Sequence, residues 1–306
     1  MIKAIFVLES LTKEKISISV SLGANTIFTS YQNITHETVH YARDKGLTVN
    51  LEVGIFVGED LWQKYPDSRP IDRSGKPIEK IHWYAGVCPN HPQIRQEKLT
   101  LIKKILREYN IDGIWLDFIR YPCHWEEVRN SKIEEYCYCQ NCLNQFKQCG
   151  GSIPEGEQLT AWKCKQITDF VKDVKIEIEK LSNKIDLGMF AVPWQKDDFD
   201  SAILRIIGQD FKTLSKYVDT FSLMTYHKFS GRPVSWIGDM VNYMSRVTNK
   251  KILPIIQTED RAGKITKEEF DQEITNAIAK DSAGVIFFLL EDLIKDHDKI
   301  TCQEVF

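Results

Sequence analysis

No stretch of this 306-residue sequence approaches the run of about 20 apolar residues that spans a bilayer. The first apolar run, Ala4 to Leu8, is closed by Glu9 and is too short for the apolar segment of a secretion signal. Both absences lead us to expect a soluble, cytoplasmic protein with no membrane partner. Charge of one sign is also lacking, since 40 Lys plus Arg against 43 Asp plus Glu leaves −3. That balance is far from what phosphate-dominated binding requires, and nucleic acid is not expected as a partner. With 16 glycines and 10 prolines the chain is neither collagen-like nor of low complexity, and 42% hydrophobic residues suffice for a core. Eight cysteines are too sparse for a disulfide scaffold. No glycine-rich dinucleotide fingerprint follows any predicted strand, and the only regularity is an alternation of strand and helix patterns. Nothing in the pattern sets an oligomeric state.

That alternation runs the length of the chain. Apolar, β-rich runs predict strands at 3–8, 25–30, 47–57, 112–117, 185–192, 218–226, 251–257 and 283–289. Helices are predicted between them, at 12–22 and, after a Thr35 cap, at 36–45. A third begins at Pro92 and carries Leu99, Ile102, Ile105, Leu106 and Tyr109 at helical spacing; a long amphipathic one carries Ile167, Phe170, Val171, Val174, Ile178 and Leu181. Further helices are predicted at 203–217, 235–248 and 266–280, with a tail after the last strand. Eight strand–helix units in one chain of this length are the arithmetic of a (β/α)8 TIM barrel, a single domain over 1–306. Two long polar segments, 58–90 and 118–160, read as loop excursions from the third and fourth strands.

Catalytic groups of such barrels sit at the C-terminal ends of the strands. There the sequence has Glu9, Tyr31, Glu52, Asp117, Trp194, Tyr226, His227, Gln257, Glu259 and Glu291. Acids alternating with aromatics suit glycosidic cleavage, in which one carboxyl protonates the leaving oxygen while another attacks or activates water. Asp117 is the sharpest candidate, because a carboxylate ending the apolar run Ile114-Trp115-Leu116 is costly to bury without a partner. Arg120 is one such partner. Glu259 is the first choice for the second catalytic acid, with Glu9, Glu52 and Glu291 in reserve. Glu9, Arg120, Trp194, Tyr226, His227 and Gln257 are expected to touch substrate, and Trp83-Tyr84 could add a stacking surface.

Cys137-Tyr138-Cys139-Gln140-Asn141-Cys142 places three thiols within one short segment, a density that favours metal over packing. Such thiolates bind zinc tetrahedrally, and Cys88, Cys123 and Cys149 are each available as the fourth ligand. A redox role for Cys139 and Cys142 expects a thioredoxin-like context that is absent.

The stretch Gly86-Val87-Cys88-Pro89-Asn90-His91-Pro92-Gln93-Ile94-Arg95, a helix, a strand-four carboxylate and then Cys137-x-Cys139-x-x-Cys142-Leu143-x-x-Phe146 resembles the zinc-containing β-galactosidases over residues 86–146. The resemblance implies a structural zinc with Cys88 as its fourth ligand. Those enzymes end strand four with Asn-Glu, whereas this chain has Leu116-Asp117. The segment Asp112 to Pro122 is more similar to uncharacterised glycosyl-hydrolase-like barrels, and Met224-Thr225-Tyr226 resembles strand six of chitinase-type barrels. What these resemblances imply is a glycoside hydrolase acting on an unassigned oligo- or polysaccharide. The alternative is a catalytically inactive barrel that binds carbohydrate through the same aromatics.

Overall fold

The alternating pattern folds as eight parallel strands with helices between them in a computed structural model of the chain, which describes residues 1–130, 132–152, 154–260, 262–278 and 281–295. The first half runs β1 (Ile2–Val7), α1 (Lys13–Ser21), β2 (Thr26–Ser30), α2 (His36–Asp44), β3 (Thr48–Gly54), α3 (Glu59–Lys64), α4 (Pro92–Glu108) and β4 (Gly113–Asp117). After α5 (Gln140–Gln148) and α6 (Gly156–Glu179) come β5 (Asp186–Ala191), α7 (Ala202–Arg205), α8 (Phe211–Leu214) and β6 (Thr220–Leu223). The chain continues through α9 (Trp236–Thr248), β7 (Ile255–Gln257), α10 (Lys267–Ala277), β8 (Gly284–Phe288) and α11 (Leu290–Lys295). The strands are hydrogen-bonded in the order β6-β5-β4-β3-β2-β1-β8-β7. Parallel bridges Phe221↔Ile252 and Met224↔Ile255 join the two ends, with Leu253 N–H donating to Phe221 at 2.9 Å and Thr225 N–H to Ile255 at 3.0 Å. The sheet thus closes on itself as a (β/α)8 barrel.

Local signals explain the helix starts. The Thr12 hydroxyl accepts from Lys15 N–H, and Thr35 and Thr38 form a reciprocal capping box. Pro92 fills the first turn of α4, where its missing N–H costs nothing, and the His91 ring accepts from Ile94 N–H.

Alternate strand residues face inward, and five of them fill the barrel with rings. Phe6 meets Phe288 at 5.2 Å and Phe190 at 6.1 Å, and Phe28 meets Trp115 edge-on at 4.9 Å. The Trp115 indole donates to the Ser222 hydroxyl at 3.1 Å, so even its polar edge is satisfied. Gly188 makes room for this: a Cβ there would lie 1.9 Å from Trp115 Cε2. The outward-facing residues pack on the helices, as Phe287 does against Phe270 at 5.4 Å. Inward alternation also aims the residue two beyond Trp115, Asp117, at the barrel mouth.

Several predicted boundaries shift. The third strand ends at Gly54 rather than 57, and 58–90 contains α3 in place of unbroken loop. The long helix starts at Gly156, well before Ile167. The predicted 203–217 helix is two short ones, interrupted where Gly208 takes φ +78 and packs against Tyr121. The last strand leads into α11 where a tail was expected; residues beyond Lys295, and Lys280 at the end of the predicted 266–280 helix, lie outside the described residues.

Candidate active site and thiolate cluster

Asp117 is the last residue of β4, and its side chain keeps 18% exposure at the mouth. Phe118 N–H donates to Asp117 Oδ1 at 2.6 Å, and Arg120 Nη1 lies 3.8 Å from the same oxygen. Phe118 holds φ +51, a left-handed conformation that a bulky residue adopts only when its surroundings compel it. Here they do, because its ring meets Trp83 at 5.7 Å and lies under the Arg120 guanidinium at 4.8 Å. Burial pushes the Asp117 carboxyl up to about 6, opposed by the Arg120 charge and the Phe118 N–H.

Glu52 lies alongside on β3, whose Gly54 pairs with Asp117 in the register. Gly54 leaves space there, since a Cβ on it would sit 3.5 Å from Glu52 Oε1. Burial first, and then the Asp117 charge, push Glu52 up to about 8, against a hydrogen bond from Ser30 and the Lys98 charge. At neutral pH Glu52 is therefore protonated while Asp117 is largely ionised, a separation that suits one proton held between two neighbouring acids.

The charges of two further acids reach Tyr226 together with that of Asp117. Burial raises the Tyr226 hydroxyl well above its usual value, and the charges of Asp117, Glu126 and Glu259 raise it further. Gln257, fully buried at the end of β7, donates from Nε2 to the Glu259 carbonyl at 3.1 Å and so fixes the strand-seven end beside Tyr226. Trp125 stacks on Tyr226 with ring centroids 6.1 Å apart and planes at 20°. Trp125 and Glu126 were not anticipated from sequence. They follow Cys123-His124 in an irregular excursion, where no periodicity says which side chain turns inward.

The remaining predicted residues divide. Trp194 is buried against Phe199 at 5.0 Å. His227 turns away from the mouth, with Nδ1 2.6 Å from Glu273 and Nε2 2.9 Å from Glu269 on α10. Glu9 is exposed, and Lys15 ties it to Glu291 with 2.9 Å contacts to both. Glu291 also accepts from the backbone N–H groups of Leu8 and Glu9. These two acids are joined at the rim by a lysine. Trp83 is 55% exposed, while Tyr84 is buried and its hydroxyl accepts from Cys123 N–H at 3.1 Å. A cleft of about 740 Å3 between the excursions is lined by Arg69, Ile78, Tyr84, His124, Arg129 and Tyr136 among others.

Cys88, Cys137, Cys139 and Cys142 are all buried, and their four sulfurs lie within 4.8 Å of one another. Cys88 Sγ is 3.3 Å from Cys142 Sγ and 3.7 Å from Cys139 Sγ. Tetrahedral zinc with Zn–S of about 2.3 Å requires sulfur–sulfur edges of about 3.8 Å, so this donor set fits the ion. Asn90 holds the cluster's edge, its Nδ2 donating to Cys142 Sγ at 3.2 Å and to the Tyr121 hydroxyl at 2.8 Å. Cys123 is buried beside Tyr84 and Cys149 is exposed; neither belongs to the four-sulfur group.

Residues 14–269 match the family described as "Putative glycosyl hydrolase domain", and the chain belongs to that family. Among curated proteins it is 27% identical over 197 residues to the β-galactosidase LacZ of Heyndrickxia coagulans, covering 59% of this chain and 27% of that protein. It is 31% identical over 110 residues to the β-galactosidase BgaB of a Geobacillus strain, covering 34% and 15%. The chain therefore spans only a minor part of the length of these relatives. Among solved structures, the glycoside hydrolase domain of PgaB (BpsB) from Bordetella bronchiseptica superposes with TM-score 0.77 at 13% identity, over 100% of this chain and 98% of that one. A β-galactosidase from Halorubrum lacusprofundi gives TM-score 0.72 at 12% identity, over 94% and 52%. Both likenesses are in the fold.

Proposed function

We propose that the chain is a glycoside hydrolase in which Asp117 exchanges a proton with the glycosidic oxygen and Glu259 supplies the second carboxylate. The observation that carries this reading is that Tyr226, just beyond β6, feels the charges of Asp117 at the end of β4, of Glu259 just beyond β7 and of Glu126 in the second excursion. An acid raised to about 6 can both donate and recover a proton near neutral pH, as a leaving oxygen requires. Arg120 and the Phe118 N–H orient it, and a protonated Glu52 beneath keeps a second negative charge away from it. Tyr226 and the exposed Trp83 are the surfaces for the sugar, and the buried Gln257 holds the strand-seven end behind them. The name carried by the curated relatives makes a β-galactoside the first substrate to try.

One structural zinc held by Cys88, Cys137, Cys139 and Cys142 belongs to the same proposal, supported by the spacing of the sulfurs. Four protein ligands leave no open position, so its contribution is to tie the two excursions together.

The test is turnover of a panel of aryl glycosides and natural oligosaccharides. Asp117→Asn should lower the rate by about a hundredfold or more while leaving thermal stability near that of the parent. Normal turnover in this variant removes Asp117 from the reaction, and saccharide binding with no turnover for any sugar supports an inactive carbohydrate-binding barrel.

A further inference from the structure

The turn that follows β4 is pinned along its backbone, whereas the guanidinium it sets against Asp117 is not. Arg120 N–H donates to the Phe118 carbonyl at 2.9 Å, the Ile119 carbonyl accepts from Gln209 Nε2 at 3.2 Å, and Tyr121 N–H donates to the Ile207 carbonyl at 2.9 Å. The Arg120 side chain is buried, yet its Nε and Nη1 make no hydrogen bond. Its 3.8 Å approach to Asp117 Oδ1 is therefore set by packing on the Phe118 ring and by the backbone that carries it. The next residue, Tyr121, is fully buried, with Lys163 Nζ over its ring at 4.6 Å and Gly208 packed beside it. Its hydroxyl accepts from Asn90 Nδ2 at 2.8 Å.

Asn90 belongs to the thiolate cluster three times over. It lies two residues beyond Cys88; its carbonyl accepts from Asn141 Nδ2 at 2.8 Å and from Gln145 Nε2 at 3.1 Å, both on the helix that carries Cys142; and its own Nδ2 donates to Cys142 Sγ at 3.2 Å. The amide nitrogen has two N–H groups, one for the sulfur and one for the Tyr121 hydroxyl. A metal-bound thiolate accepts and cannot donate, so a loaded cluster holds Nδ2 towards Cys142 and, with it, the second N–H towards Tyr121.

We propose that Asn90 and Tyr121 are positioning residues that tie the four-cysteine site to the turn after β4, so that zinc occupancy is felt at Asp117 through the placement of Arg120. The route is short: Cys142 to Asn90, Asn90 to Tyr121, and Tyr121 to its neighbour Arg120. When the sulfurs cease to fix the Asn90 amide, Tyr121 loses a partner, and Arg120 has no hydrogen bond through Nε or Nη1 with which to resist a shift. The attraction between guanidinium and carboxylate falls with their separation, and in this poorly solvated patch a small withdrawal is felt strongly. This link rests on the glycosidase and zinc readings above for what Asp117 and the cluster do.

The experiment uses the whole zinc-loaded chain before and after chelation, with aspartate isotope-labelled at the carboxyl carbon and the Asp117 resonance assigned by Asp117→Asn. It is read at about pH 6, where the position of this resonance follows the ionised fraction of a carboxyl raised to that value. Chelation should move the Asp117 resonance of the parent towards its protonated position as Arg120 withdraws. Asp112 and Asp219, paired with Arg43 and Lys175 ahead of β4 and β6, should stay in place. Tyr121→Phe keeps the ring and removes only the hydroxyl; it should bind zinc and lose most of the Asp117 response. Should that variant come without zinc, or with Asp112 or Asp219 displaced, Asn90→Ala in excess zinc decides by the same response, its zinc affinity weakened about tenfold or more. An Asp117 resonance that ignores chelation, that moves only together with Asp112 and Asp219, or that responds as fully in the deciding variant as in the parent overturns the link. A chain that neither carries nor takes up zinc overturns the zinc reading along with it. Turnover is read separately: a coupled resonance without turnover keeps the link and removes the hydrolase, whereas turnover with an indifferent Asp117 resonance does the reverse.

Discussion

Glu52 and Asp117 stand on adjacent strands at neighbouring register positions, Glu52 opposite Trp115 and Gly54 opposite Asp117. The two carboxyls therefore share one poorly solvated patch at the barrel mouth, with the floor beneath it filled by Trp115 and Phe28. Both are raised above the ordinary carboxylate range, Glu52 to about 8 and Asp117 to about 6. Each binds its proton more tightly in the folded chain than in the unfolded one.

Linkage gives the sign of the consequence. For a raised acid the stabilising contribution is complete below the unfolded value and is lost as pH rises through the folded one. Between about pH 4.5 and pH 8 the Glu52 contribution should fall, and Glu52→Gln, which keeps the shape without the proton, should unfold at higher temperature than the parent above about pH 8 and show little difference near pH 5. Thermal melts across that range check it; a parent and variant that run parallel at every pH show that Glu52 titrates normally.

Gly188→Ala should be strongly destabilising. The added Cβ would fall 1.9 Å from Trp115 Cε2, and the indole cannot retreat without losing its bond to Ser222 and its contact with Phe28. Overpacking of this kind costs about 1–3 kcal/mol or more, and the displaced Trp115 would carry Asp117 with it. Chemical denaturation gives the stability loss. A variant as stable as the parent would mean that the barrel floor is looser than its packing indicates.

The barrel was legible because eight apolar runs alternated with helical patterns, and parallel strands buried on both faces leave just that trace. Asp117, Gln257 and Tyr226 could be placed by the same logic, being polar residues at strand ends. Inward or outward aim was harder. Tyr226 and His227 are sequence neighbours just beyond β6, yet one stacks on Trp125 and the other turns to the glutamates of α10. Glu52 sits inside a strand where its partner, Asp117, comes from 65 residues away, so its importance is a tertiary fact. Trp125 and Glu126 had no signal, because an irregular excursion has no period to read.

Metal analysis of protein purified without added metal should find one zinc per chain, with Zn–S distances of about 2.3 Å. Cys88→Ser should lose it and Cys123→Ser should keep it, because Cys88 Sγ lies 3.3 Å from Cys142 Sγ while Cys123 packs beside Tyr84. Chelation should expose 58–90 and 118–160 to proteolysis before the barrel, whose strands have their own core. Full zinc in Cys88→Ser would exclude Cys88 as a ligand.

His227 should make the chain more stable in mild acid. Burial opposes its charge, but hydrogen bonds to Glu273 and Glu269 outweigh this and raise its value above 6.5. Glu273 is fully buried, and Lys228 also contacts Glu269 at 2.8 Å, so the imidazolium completes a network that joins the loop after β6 to α10. Because the folded value is raised, the stabilisation is complete below about pH 6.5 and disappears as pH climbs through the folded value. His227→Gln should therefore lower the unfolding temperature clearly near pH 6 and much less once the pH has climbed past the folded value, where the parent has lost the same charge. Titration of the His227 ring signals by NMR reads the folded value directly, and a midpoint at or below 6.5 would show that the two glutamates do not hold its proton.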